Sequence, residues 1–180
     1  SKAEDAIKDI DEVLKKQPSG REALFLNAQA RLTMGQLDMA NTSINDLARY
    51  HPNYLKTGLL KIQAAVTAGS TEDTLKFATE LINNANSATP NAENDPQLIA
   101  DMRLRGVSAR GLAQLDLGKL PEAKSDLEEV ARLSPRSASA QINLAKVSLA
   151  ERNFTAALAI YDKALTLDPQ NFDAVTGIVN

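Results

Sequence analysis

Apolar residues recur along this chain at the spacing of one helix face, in paired stretches separated by short polar breaks. In residues 138–171 two such stretches flank Glu151-Arg152-Asn153, and the second stops at Asp168-Pro169. The rest of the chain reads as edited copies of this pair. Ala6, Ile7, Ile10, Val13 and Leu14 share one face of a helix over residues 2–17. Leu24, Ala28 and Leu32 mark a helix over 21–34, and Ala40, Ile44 and Leu47 its partner over 37–50. Leu59, Ile62, Ala65 and Val66 mark the next, ending at Gly69, and Leu75, Ala78, Leu81 and Ile82 the one after it. A longer helix is expected from Pro96 to about Leu117, with Ala123, Leu127 and Val130 in its partner; residues 172–180 begin a further helix.

The breaks carry their own signals. Pro ends a helix because it lacks an N–H and restricts the residue before it. Gly35, Gly69 and Gly118 suit helix ends, where a positive φ is needed. Ser19 with Glu22 fits a capping box, Ser70 with Asp73 a simpler cap, and Asp95 before Pro96 a helix start. Pro18 and Pro52 stand 34 residues apart, as do Pro135 and Pro169, whereas Pro90 and Pro135 are separated by 45. The polar run 83–97 is therefore expected to be a loop holding about 11 inserted residues. A shared period of this size predicts stacked helical units.

Composition narrows the function. Aromatic residues are only 4%, and the apolar content is mostly Ala and Leu, which favours helix over strand. A net charge of −3 argues against a nucleic-acid partner, which demands clustered basic surface. No Cys is present, so no disulfide, thiolate metal site or Cys nucleophile is possible. No run of about 18 apolar residues, the length that could span a bilayer, occurs, so no direct membrane insertion is expected. The absence of Cys fits any compartment and does not locate the chain; a soluble bacterial protein is expected, with cytoplasm and periplasm not separable. His51, the single histidine, precedes Pro52 and reads as a solvated turn residue. Asp5, Asp9, Asp11 and Glu12 lack the Asn and Gly of a calcium loop and read as a solvated face. No serine-hydrolase elbow or phosphate-binding glycine loop occurs. Neither a catalytic site nor a cofactor or metal site is expected.

The 34-residue unit resembles the tetratricopeptide repeat family, which has a large apolar residue at repeat position 4, small ones at 8, 20 and 27, and Pro at 32. In the unit from Arg21, positions 4, 8, 15, 20, 24, 27 and 32 are Leu24, Ala28, Gly35, Ala40, Ile44, Leu47 and Pro52. The unit from Leu104 has Val107, Gly111, Gly118, Ala123, Leu127, Val130 and Pro135. The unit from Ala138 departs at Gln141 and Arg152 but keeps Ala145, Ala157, Tyr161, Ala164 and Pro169. The unit from Leu55 departs most, with Gly58, Ile62 and Thr74 at positions 4, 8 and 20, and a wider helix pair is expected there. The resemblance implies an all-α, right-handed α-solenoid of antiparallel helix–turn–helix repeats, about ten helices in all. It would comprise the second helix of a partial repeat (1–20), a repeat (21–54), a divergent repeat (55–88), an inserted loop (89–97), a repeat with an extended first helix (98–137), a further repeat (138–171) and the start of another (172–180).

In this family the first helices line a concave groove. The resemblance places Glu22, Phe25, Gln29, Leu59, Leu60, Gln63, Arg105, Ser108, Asn143 and Lys146 there, as a peptide- or protein-binding surface. A carboxylate-gripping groove of the chaperone-cofactor type is argued against, since its positions are occupied by Ser108, Leu112, Asn143, Asp173 and Gly177, or by Phe25, Gln29, Leu60, Arg105 and Ala109. The implied function is a non-catalytic interaction scaffold; the alternative is a helical docking module of a larger enzyme, such as a cell-envelope transferase. Self-association through uncapped ends is a further implied partner class.

Overall fold

Four helix ends share one backbone device. Gly35, Gly69 and Gly118 take φ values of 70, 71 and 71°, and Arg152 takes 59°. At each, the residue donates to the carbonyl three positions back, and its successor to the carbonyl five back: Gly35 to Leu32 and Gln36 to Arg31, Arg152 to Leu149 and Asn153 to Ser148. The closing bonds demand the left-handed conformation, so Arg152 adopts it despite its side chain.

These turns punctuate a computed structural model that describes residues 2–179, with side chains from 5 to 177. Among the described residues the order is α1 (Lys2–Lys16), α2 (Arg21–Thr33), α3 (Leu37–Tyr50), α4 (Lys56–Thr67), α5 (Thr71–Ser87), α6 (Pro96–Asp116), α7 (Leu120–Leu133), α8 (Ala138–Ala150), α9 (Phe154–Leu167) and α10 (Phe172–Val179), with no strand. None of these helices is long and apolar enough to cross a membrane. The chain divides into two compact units after Gly106, within α6.

In the first unit, Leu24, Ala28, Ile44, Leu47, Tyr54 and Leu60 form the buried core, with Leu14, Phe25, Leu37 and Leu98 packed on it. Ala28 and Ala40 are fully buried, which lets α2 and α3 approach closely. In the divergent pair the small residue lies one turn earlier, at Gly58: a Cβ there would meet Leu81 Cδ1 at 2.9 Å. In the second unit, Ile142, Ala145, Ala157, Tyr161, Ala164 and Ala174 make the core of α8, α9 and α10. Gly111 of α6 lies against Leu127 of α7, where a Cβ would come within 2.8 Å of Cγ.

Three expectations are corrected. Ser19 does not cap α2; Gly20 occupies that position and no side chain bonds the helix start. The loop does not begin at residue 83, because α5 continues to Ser87 with Ala85 buried on its inner face. His51 is not simply solvated: Nδ1 lies 2.9 Å from Glu93 Oε1, and Nε2 lies 2.8 Å from the Ser19 carbonyl oxygen. Ser70 and Asp95 cap as expected, accepting from the Asp73 and Leu98 amides at 3.3 and 2.8 Å.

The segment between α5 and α6 is tied down by its own side chains. Asn94, only 1% exposed, accepts from the Leu55 amide at 3.1 Å and donates to the Asn53 carbonyl at 2.7 Å. Asn91 Oδ1 accepts from the Glu93 and Asn94 amides at 2.8 and 2.9 Å. Glu93 also reaches Arg21 Nη1 at 3.4 Å.

Candidate functional site

The helical period sorts α2 and α4 into the same class of first helix, and the two pack beside one another in the first unit. Their polar outer positions fall on a shared cleft of about 320 Å³. Gln29, Leu32 and Thr33 of α2 face Ile62, Gln63, Val66 and Thr67 of α4 across it. Leu32 and Ile62 belong to the buried core, whereas Val66 is 62% exposed. Thr33 and Thr67 turn their hydroxyls onto the Gln29 and Gln63 carbonyls at 3.0 and 2.8 Å. The cleft therefore offers two exposed carboxamides above an apolar floor. A carboxamide both donates and accepts, as does a peptide group.

One to two turns toward the helix starts, the surface changes to aromatic and cationic. Phe25 meets Tyr54 edge to face, with ring centroids 6.3 Å apart at 74°. Lys56 Nζ sits 5.3 Å from the Phe25 centroid and 5.9 Å from that of Tyr54, and Arg21 lies 5.1 Å over Tyr54. Such cation–aromatic contacts each contribute about 0.5–1 kcal/mol at exposed sites. Burial pushes the Tyr54 phenol above its ordinary pKa, and the Lys56 ammonium opposes that rise.

The expected site residues separate on this geometry. Gln29 and Gln63 come together on the cleft. Phe25 and Leu59 are half-buried beside it, and Phe25 packs on the core. Leu60 is only 1% exposed and belongs to the core, because it lies on the inner face of α4. It is removed from the surface. Glu22 is exposed and takes a bond from Arg21 Nε at 3.3 Å. Arg105 is exposed but pairs within α6 with Asp101 at 2.8 Å. In the second unit Ser108 and Asn143 are half-buried and Lys146 is exposed. Asn143 and Lys146 stand three residues apart on α8, so they share a face.

Lys56, Tyr54 and Val66 were missed by sequence reasoning. Lys56 could have been found, because it holds repeat position 2 of the Leu55 unit, as Glu22 and Arg105 do in theirs. Tyr54 is the last residue of the 21–54 repeat, where the pattern assigns no role. Among the described residues no group of three or more His, Asp or Glu is placed to hold a metal ion.

Comparison with known proteins places this geometry. Residues 108–172 match the tetratricopeptide repeat family. No curated protein is significantly similar to the chain in sequence. Among solved structures, a thermophilic tetratricopeptide repeat protein of Thermus thermophilus matches at 21% identity, over 98% of this chain and 89% of its own, with a TM-score of 0.73. PilF of Pseudomonas aeruginosa matches at 18% identity over 98% of this chain and 73% of its own, with a TM-score of 0.77. YrrB, described as a tetratricopeptide repeat protein with an unusual peptide-binding site, matches at 18% identity over 99% of this chain and 84% of its own, with a TM-score of 0.69. Residues 108–172 thus match the tetratricopeptide repeat family, and the chain as a whole shares the all-helical repeat fold of these solved proteins.

Proposed function

We propose that the chain is a non-catalytic scaffold that binds an extended peptide segment of a protein partner on the first-helix face of α2 and α4. The observation that carries this reading is the cleft on which Gln29 and Gln63 flank Leu32, Ile62 and Val66. The two carboxamides pair with backbone peptide groups, and Val66 and its neighbours receive an apolar side chain. Phe25, Leu59 and Lys56 extend the surface toward the helix starts, with Glu22 and Arg105 at its edges. Ser108, Asn143 and Lys146 make the corresponding surface of the second unit. YrrB's described peptide-binding site lends support from a protein of the same fold.

The test is selection of peptide ligands from a displayed library on the intact chain, followed by affinity measurement against variants. Val66→Glu and Gln63→Ala are expected to weaken the selected peptides at least about ten-fold, which is ~1.4 kcal/mol. Glu72→Ala, at an exposed position at the start of α5, is expected to leave them unchanged. Equal affinity for all three variants would overturn the reading.

A further inference from the structure

A second cavity, of about 340 Å³, lies away from the α2–α4 cleft, where α4, α5 and the inserted 88–94 segment meet. Its volume is at the lower end of the range for small-molecule sites, about 300–1,000 Å³. The segment that closes it is held in place by Asn94 and Asn91, so this wall is built rather than incidental.

The chemistry of the lining is unusual in what it leaves open. Thr57 lines the cavity, is 6% exposed, and its hydroxyl is buried without a hydrogen-bond partner. Other helical threonines, such as Thr42, Thr67, Thr74 and Thr79, donate to the carbonyl four residues back. For Thr57 that carbonyl belongs to Asn53 and already accepts from Asn94 Nδ2 at 2.7 Å. Lys61, one turn on from Thr57 along α4, also lines the cavity; its ammonium lies 5.7 Å from the Phe77 ring centroid and has no ion pair among the described residues. Across from it on α5, the exposed Glu80 lines the cavity and has no ion pair or side-chain hydrogen bond among the described residues. One cation, one anion and an aromatic wall therefore border one cavity, with the unsatisfied Thr57 hydroxyl packed behind its lining.

We infer that this cavity binds a free α-amino acid as its zwitterion. The carboxylate pairs with Lys61 and, once the Thr57 side chain rotates toward the cavity, accepts from its hydroxyl; the ammonium pairs with Glu80, and the side chain lies against Phe77 and Leu81. A zwitterion answers both charges at once, and a ligand of one charge leaves the other partner idle. This site shares no α4 residue with the proposed peptide surface: the cavity takes Thr57, Gly58 and Lys61, the peptide surface Lys56, Leu59, Ile62, Gln63 and Val66.

The experiment is amide chemical-shift titration of the intact chain with each of the common L-amino acids in turn, and with their N-acetyl and C-amide derivatives. At least one free amino acid is expected to give saturable shifts at Thr57, Lys61, Glu80 and residues 88–94. Lys61→Ala, Glu80→Ala and each capped derivative are expected to weaken it about ten-fold or more. Thr57→Val should weaken binding without lowering the melting temperature of the free chain, because it deletes an unsatisfied hydroxyl. The inference is overturned if no free amino acid gives saturable shifts there, if capped forms bind equally well, or if both charge variants bind as the unaltered chain does. Loss of peptide binding in the α2–α4 cleft has no bearing on these outcomes.

Discussion

Gln141 is 2% exposed on α8, and its amide nitrogen has no hydrogen-bond partner. The same repeat position holds Leu24 and Val107 in two other units, buried to 2% and 1% exposure. An unsatisfied buried polar group costs about 1–3 kcal/mol. Gln141→Leu, close in volume, is expected to raise stability by about 1–2 kcal/mol, read as a higher urea midpoint at unchanged slope. A lowered midpoint would show that the amide oxygen or the side chain's shape matters more than the open N–H. Arg152 is the second local departure of this repeat. Its φ of 59° costs about 1–2 kcal/mol for a residue with a Cβ, yet the turn is the one made by the glycines. The turn is specified by the helix-closing bonds and the period, so a substitution at one position bends its conformational preference rather than the fold.

At the scale of the element, three of the repeats mark the same helix crossing with a different pair sixteen residues apart. Ser43 Oγ donates to Asn27 Oδ1 at 2.9 Å, Lys61 lies 5.7 Å from the Phe77 ring centroid, and Arg110 holds Asp126 through two bonds of 2.7 and 2.8 Å. The bond to Asp126 is the main reason the Arg110 guanidinium is held above its ordinary pKa. The backbone period is shared while the side-chain chemistry at the crossing is free to vary. The 88–95 segment breaks that period and has one buried side chain, Asn94. Asn94→Ala would leave the Leu55 amide and the Asn53 carbonyl unpaired. Local opening should become easier by about 2 kcal/mol, so the Leu55 amide should exchange with solvent roughly thirty-fold faster. Unchanged protection at Leu55 would show that the segment is held by other contacts.

At the scale of the whole molecule, the helices and their ends were legible because they follow from local signals. Gly35, Gly69 and Gly118 at positive φ, Ser70 and Asp95 as caps, and Pro96 as a helix start need no distant partner to be read. The rest was hidden for the opposite reason. His51 meets Glu93 across 42 positions of sequence, and Asn94 meets Leu55 across 39, and neither spacing carries a periodic signal. Residues 83–87 look like a loop by composition, yet Ala85 keeps the inward spacing of Ala78, Leu81 and Ile82 and draws them into α5. Of the expected surface, the repeat register led to Gln29 and Gln63, and the same register misplaced Leu60 because α4 turns that position inward. The functional claim therefore rests on the α2–α4 face. Its most direct test is amide chemical-shift mapping of the chain with a peptide selected on it. The largest shifts are predicted at Phe25, Gln29, Gln63 and Val66; largest shifts on α3 and α5, with those four residues unmoved, would contradict it.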